Sequence, residues 1–136
     1  MNILAFDVGA SGGMAFSDGS VRVTDEYKIK KLTDFNRYVK EKVELYSPDL
    51  IIVGRPTRFH NTIVAHSKYI GLIEMAAEKD KIKVVMVTDS SCKKHILGSG
   101  KAEKKEIVAW AKPLVGDISE DAADALMFAE FALKTM

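Results

Sequence analysis

The stretch ILAFDVGASGGMAF, residues 3–16, decides the fold because it joins an apolar strand to a glycine-rich turn and a second strand. Residues 3–6 form a short, wholly apolar run, which is typical of a strand buried on both of its faces. Asp7 follows this run directly, and Gly12 and Gly13 come shortly after it. The sequence therefore predicts a buried first strand that carries an acidic residue at its carboxyl end.

The rest of the chain alternates predicted strands with predicted helices. Asp18 and Gly19 are a signal for a two-residue hairpin loop between the second and third strands. The first helix has Thr33 or Asp34 as its expected N-cap, and it is expected to end before Pro48. The elements that follow are predicted as a strand over Leu50–Gly54, a helix over about 61–79, a strand over Lys83–Val87, a helix around 102–111 that Pro113 ends, and a helix from Ser119 or Glu120.

The element order βββαβαβαα predicts an α/β fold with a mixed five-stranded sheet and helices on both faces. Strands joined by helices are expected to be parallel neighbours, whereas the first three strands form an antiparallel meander. Residues 1–136 are expected to make a single domain. No apolar run approaches the roughly 20 residues that span a bilayer, and the N-terminus lacks the features of a signal peptide. The lone Cys92 cannot form an internal disulfide, so a cytoplasmic protein with no membrane partner is expected.

The last helix, ISEDAADALMFAEFALKTM over 118–136, carries two carboxylates among alanines and large apolar residues. Asp121 and Asp124 stand three residues apart, so they project from one face of the helix. If this helix packs across the sheet edge, both meet Asp7, and a hard divalent cation commonly neutralises such a cluster of negative charges. In the alternative interpretation, Asp121 complements the helix dipole and Asp7 closes a glycine-rich turn, which leaves Asp124 unexplained.

A resemblance to a known family is carried by four segments: AFDVGASGG at 5–13, LIIVG at 50–54, LGSGKAEKKEIV at 97–108 and DAADALMFAEFA at 121–132. In this order and spacing they resemble the RuvC-type Holliday junction resolvases of the ribonuclease H-like superfamily. The resemblance runs from Met1 to about Leu133. It implies a ribonuclease H-like fold and a homodimer that cuts four-way (Holliday) or other branched DNA junctions by paired nicking, with two Mg²⁺ or Mn²⁺ ions per active site. Because the chain is short for the bacterial enzyme, the resemblance is compatible with a phage-encoded or compact viral-type version, and it implies a protein that acts in the cytoplasm of a bacterial cell or of a phage-infected host.

By the same resemblance, three acids and two lysines form the active site. Asp7 would bridge the two ions, and Asp121 and Asp124 would hold the ion beside the attacking water. Carboxylates that hold two ions roughly 4 Å apart activate that water and stabilise the leaving 3′ oxygen, so the product carries a 5′ phosphate. Lys93 and Lys104 stand where family lysines stabilise phosphate charge, although Lys104 also suits a solvated helix face.

Candidate DNA contacts lie on either side of the predicted helix over about 61–79. The formal net charge of +1 neither favours nor excludes nucleic acid. Arg55 and Arg58 are expected to contact backbone phosphates, and Phe59 is expected to stack on a base at the junction centre or to cap the core. Lys94, Lys101 and Lys105 are further candidates in a lysine-rich stretch that is equally typical of a solvated helix face.

The helix predicted over about 61–79 bears on the expected homodimer. It carries apolar residues beyond one narrow stripe, including Ile63 and Val64. Core burial explains part of this pattern, with Ile63 expected to point inward, and a two-fold dimer contact would explain the rest.

The family pattern places a glutamate at the end of the strand over 50–54, beside Asp7, where this chain has Gly54. Asp89 follows the strand over 83–87, but that strand is expected two places from the first, roughly 10 Å away, and an aspartate side chain is too short for that gap. No other acid is a convincing replacement. Three explanations stay open: an engineered inactive variant, a natural weak nuclease with water in the vacant place, or a junction binder that does not cut. We expect Gly54→Glu to restore or greatly raise magnesium-dependent nicking.

Three other functions compete with junction cleavage. FDVGASGGMAFSDGS at 6–20 and SPDLIIVGRPT at 47–57 also resemble YqgF-like pre-ribosomal RNA nucleases, in which a glycine at position 54 is normal. DVGASGG at 7–13 also resembles the phosphate loop of sugar kinases and actin-like ATPases, but those enzymes need two such domains and this chain is too short for both. A non-cleaving junction-binding protein is the third alternative.

Overall fold

A computed structural model describes the backbone of residues 1–55 and 60–136 and the side chains of 1–55 and 63–136. Along the chain it forms β1 (Ile3–Asp7), β2 (Ser11–Ser17), β3 (Arg22–Lys28), α1 (Leu32–Tyr46), β4 (Leu50–Gly54), α2 (His60–Lys79), β5 (Lys83–Val87), α3 (Asp89–Leu97), α4 (Lys104–Val115) and α5 (Glu120–Thr135). In the described ranges, the strands are those that the sequence predicts, and α3 is an additional helix.

The strands form a mixed sheet in the order β3-β2-β1-β4-β5. Strand β1 pairs with β2 in antiparallel and with β4 in parallel, and β4 pairs with β5 in parallel. The predicted mixed five-stranded sheet is confirmed, and β5 lies two places from β1 as expected. The register sets Asp7 opposite Gly13, and Gly54 opposite Val87.

Helices cover both faces of the sheet, which confirms the predicted layers. On β1, Ile3 and Ala5 belong to the core beneath α3, α4 and α5, whereas Leu4 and Phe6 belong to the core beneath α1 and α2. Successive side chains of a strand point to opposite faces. By this alternation Asp7, the next odd-numbered residue of β1, faces the layer that contains α5.

Helix α5 is the central helix of the fold, and its residues 122–130 are buried without a break. It contacts four of the strands as well as α3 and α4. Its one buried glutamate, Glu130, accepts hydrogen bonds from Ser17 Oγ at 2.8 Å and from Arg22 Nε at 2.6 Å. A buried carboxylate is tolerated when it is paired in this way, so these contacts attach α5 to β2 and β3.

Two predicted boundaries at the start of the chain are wrong. The loop between β2 and β3 spans Asp18 to Val21 rather than two residues, because Asp18 Oδ1 accepts from the N–H groups of Ser20 and Val21 at 2.8 and 2.7 Å. Helix α1 has Lys31 as its N-cap rather than Thr33 or Asp34. The Lys31 carbonyl already accepts from the N–H of Asp34 at 3.1 Å.

The carboxyl-terminal third differs from prediction at α3 and α4. Pro113 does not end α4, which continues to Val115 and closes with a hydrogen bond from Gly116 N–H to the Lys112 carbonyl at 2.8 Å. Helix α3 was not predicted, although Thr88 is its N-cap and accepts from Ser91 N–H at 3.3 Å. This capping threonine is a signal that sequence inspection can find.

Helix α2 packs one face on the sheet and leaves part of its apolar surface outside. Ile70 and Ile73 are buried, as predicted. Ile63 was predicted to point inward, but it is 39% exposed, and Val64 is 50% exposed. Among the helices that the structure describes, none has the length and apolar character needed to cross a membrane.

Candidate functional site

Asp7 ends β1 at the carboxyl edge of the sheet, with its side chain on the α5 side. The hydroxyl of Tyr27, on β3, donates to the Asp7 carbonyl at 3.3 Å. Burial raises the pKa of Tyr27 above its ordinary value, and the charge of Asp7 adds to this effect. The phenol therefore remains a neutral donor that holds the backbone at the end of β1.

Gly13 allows the first turn of α5 to approach Asp7. A Cβ at this position would overlap the carbonyl of Asp121 and lie 2.6 Å from the N–H nitrogen of Ala122. Only a glycine permits two backbones to come this close. Ser119 caps the same turn, because its hydroxyl accepts from Ala122 N–H at 3.2 Å. Since Gly13 is the register partner of Asp7, the beginning of α5 lies beside the end of β1.

The structure brings Asp7, Asp121 and Asp124 together. Each offers one carboxylate oxygen, and these oxygens all lie within 4.8 Å of one another. Oxygens bound to one Mg²⁺ lie at most about 4.2 Å apart, given a bond length of about 2.1 Å. Small side-chain rotations therefore suffice for a shared ion, and the donor set of hard carboxylate oxygens suits Mg²⁺ or Mn²⁺.

The electrostatics of the cluster favour a cation. Burial, followed by the charges of Asp124 and Asp121, raises the pKa of Asp7 from 3.8 to about 8. Burial, followed by the charge of Asp89, raises the pKa of Asp124 from 3.8 to about 6, and the ammonium group of Lys104 opposes this shift. Without a metal ion, Asp7 and Asp124 hold protons more tightly than in water, and a bound cation would release them.

A cavity of about 390 Å³ opens at the cluster. A larger hollow of about 860 Å³ between α1 and α2 shares none of the lining residues of this cavity. The cavity at the cluster combines acidic and basic side chains, and its ionisable lining residues are Asp7, Asp89, Asp121, Asp124, Arg55, His66, Lys93 and Lys104.

The two lysines predicted for the active site both reach this cavity. Lys104, the first residue of α4, places its Nζ 3.9 Å from Asp124 Oδ2 and 3.9 Å from Glu120 Oε2. Lys93 lies on α3 and is largely buried, with its Nζ 2.7 Å from Asp89 Oδ2. Lys104 thus stands next to a buried aspartate, although its own side chain is 58% exposed.

Gly54 lies at the edge of the same cavity, on the strand next to Asp7. A Cβ at position 54 would lie 2.6 Å from Cε2 and 2.8 Å from Cζ of Phe128. The phenyl ring fills the space directly above the glycine. Gly54 on β4 and Phe128 on α5 thus pack directly against each other. This packing makes Gly54→Glu alone a strained substitution.

The predicted DNA-binding residues are distributed differently. Arg55 is exposed at the rim of the cavity, and its N–H donates to the Val87 carbonyl at 2.7 Å. Arg58 and Phe59 lie outside the described residues. The remaining candidates, Lys94, Lys101 and Lys105, are exposed on α3, on the connection to α4 and on α4, and they are not part of the cavity lining.

Sequence inspection missed two side chains of the cavity. Asp89 lines the cavity because α3 begins immediately beyond β5 and carries it forward, but its carboxylate is not among the three whose oxygens lie within 4.8 Å of one another. His66, on α2, also lines the cavity, and burial lowers its pKa. No local pattern marks His66, whereas the helix start after Thr88 is a signal for the placement of Asp89.

Comparisons with known proteins agree with this geometry. The chain matches the family model of crossover junction endodeoxyribonuclease RuvC over residues 7–130. It is 30% identical over 118 residues to the RuvC protein of Corynebacterium diphtheriae, an alignment that covers 82% of this chain and 72% of that protein. It is 31% identical over 121 residues to the RuvC protein of Corynebacterium glutamicum, covering 83% of this chain and 54% of that protein. The chain therefore spans about half the length of the second relative.

A solved structure has the same fold. The structure of T. thermophilus RuvC in complex with Holliday junction substrate superposes with a TM-score of 0.80 and 17% sequence identity, covering 96% of this chain and 92% of that chain. Asp7, Asp121 and Asp124 all lie inside the range that the family model matches. The sequence match is broad enough to decide between families, and it favours the resolvases over the YqgF-like nucleases. The chain belongs to the RuvC family of crossover junction endodeoxyribonucleases.

Proposed function

We propose that this chain is a single nuclease domain that nicks four-way or other branched DNA with Mg²⁺ or Mn²⁺. The observation that carries the proposal is the convergence of Asp7, Asp121 and Asp124 at one cavity of a RuvC-family chain. The named substrate of the T. thermophilus relative, a Holliday junction, supports the choice of DNA.

The aspartates would hold up to two divalent ions. When bound, these ions polarise the scissile phosphate and lower the pKa of an attacking water. The burial of Asp124 and the partial burial of Asp7 keep the carboxylates in a low-dielectric surrounding, where their attraction for a cation is stronger than in water. Gly13 and the Ser119 cap hold the first turn of α5 in place, so the carboxylates are positioned before the ions arrive.

The lysines would neutralise phosphate charge. The Nζ of Lys104 is close to Asp124 while its side chain is 58% exposed, so it can contact a phosphate that enters from solvent. Arg55 lies at the cavity rim, and Lys94, Lys101 and Lys105 extend the positive surface away from it. Contacts of this kind position the DNA backbone without specifying sequence, and their loss should weaken the salt dependence of binding.

A homodimer is proposed because paired nicks need two active sites. The exposed apolar side chains of Ile63 and Val64 on α2 support a contact through this helix. Sedimentation equilibrium of the chain should give twice the monomer mass. The variant Val64→Glu should sediment as a monomer while it retains its circular dichroism spectrum. A monomeric parent chain would contradict this assignment.

The nuclease proposal is tested with a synthetic four-way junction and a linear duplex of the same sequence. We expect paired nicks in the junction with Mg²⁺ or Mn²⁺ and none in the duplex. Asp7→Asn should abolish nicking while junction binding persists, whereas the control Asp80→Asn, away from the cavity, should nick as the parent does. Junction binding without nicking in either metal would contradict the proposal and identify a binding protein.

A further inference from the structure

The end of β4 is the place where this site lacks an acid. The family resemblance puts a glutamate there, and the chain has Gly54 with the ring of Phe128 packed above it. A side chain from β4 therefore cannot supply a fourth carboxylate. Any fourth acid must enter the cavity from a neighbouring element on the α5 side of the sheet.

The adjacent strand ends beside β4 and leads directly to such an acid. Gly54 pairs with Val87, and Arg55 N–H donates to the Val87 carbonyl at 2.7 Å, so β4 and β5 end side by side. Thr88 then caps α3, and Asp89 is the first residue of that helix. Helix α3 packs against α5, which brings Asp89 to the α5 side of the sheet.

Asp89 lines the same cavity as the three clustered aspartates, and its carboxylate lies outside the group of oxygens that are within 4.8 Å of one another. It belongs to α3, and its Oδ2 is 2.7 Å from the Nζ of Lys93, one helical turn further on. The Asp89 side chain is 51% exposed, whereas that of Lys93 is only 17% exposed. The Asp89 carboxylate is thus the more exposed member of the pair, and to reach a cation in the cavity it would turn away from Lys93.

We propose that Asp89 supplies the fourth carboxylate of the metal site, entering from the end of β5 in place of a glutamate at the end of β4. This inference rests on the proposed nuclease function, since it adds a residue to that site. A site with four carboxylates attracts divalent cations more strongly than a site with three. Lys93 balances the charge of Asp89 until a cation does so.

The alternative role for Asp89 is to position Lys93, and the two roles predict different metal binding. If Asp89 is a metal ligand, its replacement by a neutral side chain in Asp89→Asn should lower the affinity for Mn²⁺ by about tenfold or more. The removal of a nearby positive charge in Lys93→Met should leave that affinity unchanged or raise it. If Asp89 acted only through Lys93, adding Asp89→Asn to Lys93→Met would cause no further loss of Mn²⁺ affinity.

The experiment measures Mn²⁺ binding to the full chain without DNA, from the electron paramagnetic resonance signal of free Mn²⁺. The matched control is Asp117→Asn, because Asp117 is also an aspartate paired with a lysine, Lys112, at 3.7 Å. It should bind Mn²⁺ within about twofold of the parent, and circular dichroism should show that each variant is folded. Equal Mn²⁺ affinity in Asp89→Asn and Asp117→Asn would overturn the proposal.

The variant Asp7→Asn separates a failure of the Asp89 assignment from a failure of the proposed nuclease function. If Asp7→Asn loses Mn²⁺ binding while Asp89→Asn retains it, the nuclease site stands and only the assignment of Asp89 is wrong. If Asp7→Asn also binds Mn²⁺ as the parent does, the metal site itself is wrong, and the proposal for Asp89 is overturned with it.

Discussion

The ring of Phe128 on α5 fills the space that a side chain at Gly54 on β4 would occupy, with Cε2 only 2.6 Å from an ideal Cβ. Phe128 is 3% exposed and packed in the core. The ring also lines the cavity of the aspartate cluster, so a side chain at position 54 would displace it from its packed position toward that cavity. The absence of an acid at position 54 and the presence of a large aromatic residue at position 128 are one structural feature.

Gly54→Glu by itself is expected to lower the free energy of unfolding by about 1–3 kcal/mol, because it overpacks a filled region. It is not expected to raise nicking, in contrast to the simple expectation from sequence. Urea unfolding and the junction assay measure the two effects. Full stability together with strong nicking in this single variant would show that the ring of Phe128 is not an obstacle.

Removing the ring of Phe128 should make room for a glutamate at position 54. In an Asp89→Asn background, Gly54→Glu combined with Phe128→Ala is expected to recover Mn²⁺ affinity by about tenfold. The matched control is Asp89→Asn with Phe128→Ala alone, in which the ring is absent and no acid is added. If both variants bind Mn²⁺ equally weakly, the end of β4 is not within reach of the metal site.

Gly13→Ala tests how α5 is positioned. The added methyl group would overlap the Asp121 carbonyl, so the free energy of unfolding should fall by about 3 kcal/mol or more, and Mn²⁺ binding should weaken. Gly71→Ala is the control, because Gly71 lies on α2 and a Cβ added there would meet no atom within 4 Å. In this control the free energy of unfolding should rise by about 0.5–1 kcal/mol, because alanine has a higher helix propensity than glycine. Equal effects of the two substitutions would contradict the close approach of β2 and α5.

The pKa of Asp7 predicts a pH dependence of stability. Its pKa in the folded chain, about 8, lies above its ordinary value of 3.8, so the folded state binds the extra proton. The resulting stabilisation is complete below about pH 4 and is lost as the pH rises toward 8, by up to about 1.4 kcal/mol per pH unit. Without metal, Asp7→Asn should therefore be more stable than the parent at pH 8, and this advantage should shrink at pH 5. With Mg²⁺ at pH 8, the parent should instead be more stable than Asp7→Asn. Thermal unfolding of both proteins at pH 5 and pH 8, with and without Mg²⁺, measures these differences.

Glu130 supplies a test of the attachment of α5 to the sheet. Its carboxylate accepts from Ser17 and pairs with Arg22 at 2.6 Å, and its side chain is 6% exposed. Glu130→Ala leaves a partly buried guanidinium without its partner and should cost roughly 3 kcal/mol. The control Arg37→Ala breaks an exposed pair with Asp34 at 3.6 Å and should cost less than about 1 kcal/mol. Similar losses in urea unfolding would argue against a structural role for Glu130.

The sequence by itself determined the strands, the mixed sheet and the three aspartates. Strand β1 is identified by its apolar run, and Asp7 by its place after that run. Asp121 and Asp124 share a helix face through their spacing, whatever the helix packs against. The strands and the shared helix face depend on local periodicity, which neighbouring residues define, and the mixed sheet follows from the order of the elements and the rule that strands joined by helices are parallel.

Only the tertiary structure decided how the ends of the elements meet. The approach of α5 to Gly13, the ring of Phe128 above Gly54 and the entry of Asp89 into the cavity all join residues from separate elements. Their geometry depends on side-chain volume and close packing, which a periodic pattern does not contain. Helix boundaries at Lys31 and Val115 were likewise set by hydrogen bonds and packing that residue preferences describe only weakly.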